Sequence, residues 1–418
     1  MEFEDTAPLA PEAPESESRR RFVAQTGMAA AAVALSGTAS LAQAAQFAQP
    51  SALAGQSLHV GMLLPEGRAY PQLGAQLLAG ARAYAERSGG VQLHITPVFY
   101  GRHTGQAERA AQELLEKGPV DVLAGYVDPN AVAQWTPMLS ERQVPLLVGD
   151  TGANALDPEA RSPWIVHNNL GYWQAAWAAG RWSAKALGPR AIVAVGPADS
   201  GFDHLPAFER GFASAGGRVQ ATVLTRGADG TSRLDALARL VRQTRPDLVF
   251  ALDSGPRTAD FHRFWSHSGI ANHVPLVVGG MLAEAMANGQ SPGQQGMRVW
   301  TARPWQPQDD TGLKTVPEAT PFHLLGQEMA QRIHAGATLS GARGLALAQA
   351  MAAAVLQTPR GEVRLDAVSG ETLAVTYLQG LHTFPSPSAV TLPSAAASAC
   401  QGLCDMLSSR VTGTYLAA

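Results

Sequence analysis

Four aspartates, Asp128, Asp150, Asp199 and Asp253, each stand just after a short apolar run, in loops that also hold Asn130, Thr151 and Gly152, Ser200 and Phe202, and Ser254. Carboxylates so placed accept hydrogen bonds and attract positive charge. Facing a common cleft, they would cost an anionic ligand on the order of 1 kcal/mol or more per pair. The chemistry this suggests is recognition of a neutral polar or cationic small molecule; the competing reading is that each aspartate caps the helix after it. Tyr70, Trp135, Trp164 and Phe202 supply candidates for an apolar wall, and Met281 follows Gly279 and Gly280 after a further apolar run. Bond-making machinery is not legible. There is no G-x-S-x-G, H-E-x-x-H or Walker loop, and His103, His204, His262 and His267 are scattered, the last two five apart and off one helix face. An enzyme is therefore not expected, nor a cofactor.

Loops of this kind need strand ends to hold them. Residues 120–154 read as strand, loop, helix, strand, loop, the runs at 120–123 and 144–148 being short and continuously apolar, as strands covered on both faces are. Asp128 before Pro129 is a helix start: a carboxylate accepts orphan N–H groups and proline fills a position that needs no donor. The same alternation begins earlier, with strands at 58–64 and 93–99 and helices at 73–87 and 106–116. It repeats later, with strands at 191–195, 219–224, 246–252 and 274–278 and helices at 205–215, 232–243 and 258–268. This grammar predicts parallel sheets with right-handed crossovers, and such sheets place ligands outside the carboxyl ends of their strands. Trp173 and Trp177, four apart on one helix face, read as packing residues before ligand-stacking ones. His167, at a strand end, is either a cleft group or structural.

The chain has 418 residues, which favours two lobes, and Gly 42, Pro 28 and 16% charged residues describe a loop-punctuated globular protein. A net charge of -3 without a basic stripe gives no reason to expect nucleic acid. Residues 1–17 are acidic and proline-rich, and Ser18-Arg19-Arg20-Arg21-Phe22-Val23 precedes an alanine-rich run and the small-x-small site Ala42-Gln43-Ala44. That is an export signal, of twin-arginine type by the register of Ser18, the arginine pair and Phe22, the alternative being a general secretory signal with an extra arginine. It predicts a periplasmic protein, cleaved near Ala44, with no membrane anchor. Cys400 and Cys404 are spaced for adjacent turns of a helix; a disulfide is the expectation in an oxidising compartment, soft-metal binding the alternative.

Four segments, in order, resemble one family. Gly61-Met62-Leu63-Leu64-Pro65, with Gly74 and Gly80-Ala81-Arg82, is similar to a first strand and helix reading G-x-x-x-P and then G-A-R. Val120-Asp121-Val122-Leu123-Ala124-Gly125, Arg245-Pro246-Asp247-Leu248-Val249 and Thr358-Pro359-Arg360-Gly361-Glu362-Val363-Arg364-Leu365-Asp366 follow. Together they resemble the type I periplasmic solute-binding proteins of ABC importers, in the branch holding leucine/isoleucine/valine-binding and amide- or urea-binding receptors. The resemblance implies an α/β fold of two Rossmann-like lobes with parallel central sheets joined by a three-segment hinge. It implies a leader over residues 1–44, a first lobe over 45–168 with 304–365, a second over 169–303 with 366–385, and a C-terminal tail over 386–418. By position it carries ligand contacts to Asp128, Asn130, Asp150, Thr151, Gly152, Phe202, Asp253 and Ser254; Tyr70, Ser200 and Met281 in the neighbouring loops complete the expected ligand-binding set. Members that bind amino acids often have a carboxylate at Gly280 or Met281 to pair the ammonium, and this sequence has none. The expected partners are a small-molecule ligand (an amide, amine or amino-acid derivative), a membrane permease and the twin-arginine export machinery, for a monomer. A sensor of the same fold, or a metal-binding or enzymatic variant, are the alternatives.

Overall fold

The structure, a computed structural model, describes residues 56–157, 161–255, 258–288, 297–305, 320–341, 343–381, 390–392 and 414–417; the leader and the Cys400/Cys404 pair lie outside them. In the first lobe, β1 (Ser57–Leu64), α1 (Leu73–Arg87), β2 (Gln92–Phe99), α2 (Thr104–Lys117), β3 (Val122–Gly125), a 3-10 turn (Ala131–Trp135), α3 (Thr136–Arg142), β4 (Leu146–Asp150) and β5 (Ile165–Asn169) follow in order. Their sheet is parallel, in the order β2-β1-β3-β4-β5. After α4 (Tyr172–Ala186) the second lobe repeats the pattern with β6 (Arg190–Val195), α5 (His204–Ser214), β7 (Arg218–Leu224), α6 (Leu234–Thr244), β8 (Leu248–Leu252), α7 (Thr258–His267), β9 (Leu276–Val278), α8 (Gly280–Asn288) and β10 (Val299–Arg303). The chain then returns to the first lobe through α9 (Pro321–Ser340) and α10 (Gly344–Ala353), and forms a small sheet from β11 (Leu356–Thr358), β12 (Gly361–Leu365) and β13 (Thr372–Leu373). It finishes the second sheet with β14 (Thr376–Leu381) and β15 (Val390–Leu392), both antiparallel. The second sheet has the order β15-β14-β10-β9-β8-β6-β7.

The inner strands β3, β4 and β8 are buried at every residue, as is β5 at the sheet edge, whereas the outer β2 and β7 alternate between half-buried and exposed positions. Two local readings are corrected. Asp128 does accept the N–H groups of Asn130 and Ala131, but it caps a 3-10 turn, and the helix proper begins at Thr136, where Pro137 occupies the first turn. Trp135 and Trp164 are no cleft wall: both lie in the first lobe's core, Trp164 at the amino end of β5, the far end from the ligand loops. Trp173 and Trp177 pack in the second lobe's core. Val390–Leu392, within the stretch read as a tail, adds an edge strand.

Helices cross closely at one glycine pair in each lobe. A Cβ on Gly80 of α1 would collide with the His323 carbonyl of α9, and one on Gly326 with the Leu77 carbonyl; across α4 and α5, Gly180 meets the Phe208 carbonyl and Gly211 that of Trp177. Gly80 of the G-A-R motif is thus a packing glycine. Gly80→Ala should lower unfolding free energy by about 1–3 kcal/mol in denaturant melts, the cost of overpacking a contact without space; an unchanged midpoint would contradict the close approach.

The passages between lobes run through a buried polar network. Arg360 pairs with Glu328 at 2.8 and 3.0 Å and donates to the Asn169 carbonyl at 3.0 Å. Arg332 donates to the Asn168 side chain at 2.8 Å, whose amide donates to Glu328 at 3.2 Å. Glu371 accepts from the Leu156 N–H at 2.7 Å, and Thr372 from the Asn169 N–H at 2.9 Å. Arg360 and Glu328 are each about 1% exposed, so the residues where β5 leaves the first lobe are tied to α9 and to the β12–β13 turn.

Candidate functional site

Strand order reverses between β1 and β3 in the first sheet and between β6 and β8 in the second. Open α/β sheets bind ligands at such points, outside the carboxyl ends of the strands, where the two diverging loops leave a crevice. Tyr70 and Tyr126 follow β1 and β3; Asp199 with Phe202, and Asp253 with Ser254, follow β6 and β8. The two crevices face each other and are bridged. The Gly255 N–H donates to the Tyr70 hydroxyl at 2.9 Å, the His204 N–H to the Ala153 carbonyl at 3.0 Å, and the Asp203 N–H to the Asn154 side chain at 3.1 Å.

Residues 414–417 lie between these walls. The Tyr415 hydroxyl donates to Asp199 Oδ1 at 2.5 Å, and the Tyr126 hydroxyl donates to the Tyr415 carbonyl at 2.8 Å. The Tyr415 ring meets Phe202 at 4.6 Å and His204 at 5.3 Å between centroids, both edge-on. Asp199 also accepts from Ser254 Oγ at 2.9 Å. Gly196, at the end of β6, leaves room for the acids: a Cβ there would stand 2.5 Å from Asp253 Oδ1 and 2.9 Å from Asp199 Oδ2.

Burial raises three of the aspartates, Asp150 by the largest amount. Burial pushes Asp150 up to about 8, only partly offset by the Gly152 N–H on Oδ1, and its Oδ2 is buried without a hydrogen-bond partner among the described residues. At neutral pH Asp150 is largely the neutral acid. Asp253, raised by burial to about 6, is held by the Arg226 guanidinium and by Thr225 Oγ1 at 3.1 Å. Burial raises Asp199 to about 6 against the hydrogen bonds of Tyr415 and Ser254, so it is mostly ionised at pH 7. His204 offers it no charge, since burial lowers the imidazole to about 4. Asp199 is thus the carboxylate that directs negative charge at the occupant of the space between the lobes.

The remaining residues singled out from the sequence are not all brought together. Tyr70, Phe202 and Met281 gather around Tyr415 and Leu416 in one apolar cluster with Tyr126 and Tyr172, and the Tyr172 hydroxyl donates to Met281 Sδ at 3.5 Å. Thr151 and Gly152 are buried behind this cluster, their carbonyls accepting from Tyr172 and Trp173 at the start of α4, and Gly152 has φ 64°. Ser200 is exposed and donates to Pro197. Asn130 accepts from the Asp157 N–H at 3.1 Å and lines a separate hollow with Arg161, His167 and Ser369. His167 is buried, which lowers its imidazole to about 4. Glu284, one turn beyond Met281, provides no free carboxylate: Arg303 holds it at 2.6 Å and Trp305 Nε1 at 3.1 Å. Sequence reasoning missed Tyr126, His204 and Tyr415. Tyr126 had a signal, since it directly follows the V-D-x-x-x-G strand; Tyr415 had none.

The profile of a family described as periplasmic binding protein matches residues 57–389. The chain belongs to that family. Curated relatives include a Leu/Ile/Val-binding protein homolog 6 from Brucella melitensis, 30% identical over 219 residues, which are 50% of this chain and 55% of the relative. The chain thus spans about half the length of the curated relatives it matches. Among solved periplasmic binding folds, a Rhodopseudomonas palustris HaA2 ABC-transporter solute-binding protein in complex with p-hydroxybenzoic acid superposes with a TM-score of 0.65 at 20% identity, covering 83% of this chain and 100% of that one. One from R. palustris in complex with benzoate gives 0.62 at 21%, covering 82% and 98%, and a leucine-binding protein from Thermotoga maritima gives 0.60 at 14%, covering 80% and 99%. These likenesses establish the type I periplasmic binding fold, with two α/β lobes of mostly parallel strands.

Proposed function

We propose that this periplasmic binding protein is the substrate-binding component of an ABC-type importer, and that it captures a small polar neutral or cationic solute, such as an amide, amine or amino-acid derivative, by hinge closure. The lobes take the division given above, 45–168 with 304–365 against 169–303 with 366–385. The leader supports export by the twin-arginine machinery to the periplasm, where a membrane permease would receive the solute. One observation carries the choice of ligand: Asp199 is buried and mostly ionised between the two switch points, and the nearby Arg226 is already committed to Asp253. Solved relatives of this fold hold benzoate or p-hydroxybenzoic acid; a carboxylate placed against Asp199 would be repelled. Tyr70 closing on Gly255 supports the hinge reading.

Calorimetry on the processed protein, against amides, amines, leucine and 4-hydroxybenzoate, tests this. A neutral or cationic solute should bind saturably and at least tenfold more tightly than the matched anion, and Asp199→Asn should shrink that ratio. Tightest binding by the anion would overturn the charge selection, and no saturable solute with or without residues 414–418 would overturn the receptor.

A further inference from the structure

The space that a solute would fill is occupied by the chain itself. We infer that Thr414–Ala417 is a tethered surrogate ligand, and that the seat under Tyr415 takes a neutral phenol, which must displace the segment to bind. This rests on the receptor reading and names the solute class of the same site.

Several independent features point to a seat and an occupant rather than to core packing. All four residues of the segment are buried, and the segment spans the gap, receiving a hydrogen bond from Tyr126 of the first lobe and giving one to Asp199 of the second. The phenol is recognised at each part: its hydroxyl by a carboxylate, its ring by the edges of Phe202 and His204. The loop after β1 is shaped for a backbone to lie against it, since a Cβ on Gly67 would stand 2.9 Å from the Ala417 carbonyl oxygen and 3.0 Å from that of Leu416. Within the segment, the Ala417 N–H closes a turn on the Thr414 carbonyl at 3.1 Å with Leu416 at φ 68°. A left-handed leucine is unfavourable in a free peptide, so the turn is held by its surroundings and not by its own preference. Elsewhere each wall is complete: Asp199 keeps Ser254, and Tyr126 and Tyr70 pack edge-on against Phe322.

Occupancy by the segment sets a fraction of molecules able to bind, and the apparent dissociation constant of any solute rises by the inverse of that fraction. A solute needs a hydroxyl on an aromatic ring to replace the bond to Asp199. Neutrality follows as well, because a charged phenolate would face the carboxylate.

The test compares the intact chain, a chain lacking residues 414–418, and Tyr415→Phe, which keeps the ring and removes the hydroxyl. Calorimetry with 4-hydroxybenzamide, benzamide and the peptide Thr-Tyr-Leu-Ala-Ala supplies the readout. The shortened chain should bind 4-hydroxybenzamide at least tenfold more tightly than the intact chain does, benzamide at least tenfold more weakly than 4-hydroxybenzamide, and the peptide saturably. Tyr415→Phe should shift 4-hydroxybenzamide in the same direction by a smaller factor, which keeps the test open if the shortened chain does not fold. Equal affinity of the intact and altered chains overturns the tether. Binding of other solutes by the shortened chain without preference for the hydroxyl overturns the phenol seat while the receptor reading stands; no binding by any chain removes that reading itself.

Discussion

Arg360→Ala should cost about 3–5 kcal/mol of unfolding free energy, the range for a buried pair broken from one side. The guanidinium holds both oxygens of Glu328 and the Asn169 carbonyl in a site from which water is excluded. Truncation leaves Glu328 buried with the Asn168 amide as its hydrogen-bond donor among the described residues. The orphaned carboxylate makes the loss large; the attraction itself is mostly offset by the desolvation of two charges. The double variant Arg360→Met with Glu328→Leu should therefore lose much less than Arg360→Ala alone. Equilibrium denaturation of the three chains decides it, and a single-variant loss below about 1 kcal/mol would mean that the pair is far more hydrated than its burial indicates.

Stability should fall as pH rises from 6.5 to 8, and Asp150→Asn should remove much of the slope. Asp150 has its folded-state value raised from 3.8 to about 8, so the folded protein keeps a proton that the unfolded chain releases. Its contribution is fully present below pH 3.8 and is lost as pH rises through about 8; Glu371, raised by burial to about 7, acts in the same sense. His167 and His204 act oppositely: lowered from 6.5 to about 4, they contribute above pH 6.5 and lose that contribution as pH falls towards 4. Between pH 6.5 and 8 the carboxyls therefore set the sign. One proton's linkage over that interval is worth on the order of 2 kcal/mol, so the variant should gain about that much on the parent by pH 8. Melting temperatures of both chains across this interval are the measurement, and parallel curves would show that Asp150 is ionised in the folded protein.

Much of the architecture was legible because it rests on periodicity. Short apolar runs became buried central strands, and the loops at their ends became the walls of the crevice, with Tyr70, Asp253 and Ser254 at the switch points. Local patterns could not show which aspartates were spent elsewhere. Asp253 is taken by Arg226, 27 residues earlier in the chain, and Asp150 is neutralised by burial, whereas the capping role of Asp128 is local and was legible. Trp135 and Trp164 misled for a related reason: residue type suggests a wall, while both side chains are buried in the first lobe's core, Trp164 at the amino end of β5. Tyr415 was invisible because a short run of ordinary residues has no period, and its place depends on contacts with residues some 200 to 350 positions earlier. A gap filled by its own fixed walls would have told against a receptor. Here the filler is a short late segment bonded through one hydroxyl and one carbonyl.

The paired glycines at the helix crossings, Gly80 with Gly326 and Gly180 with Gly211, bring main chain onto main chain with no side chain between them. Helices joined so tightly have no soft layer in which to shear, so each half should respond to load as one stiff plate. Compliance is then concentrated in the few strands of chain that pass between the plates, and the slowest-exchanging amides should form two islands with a faster strip along that seam.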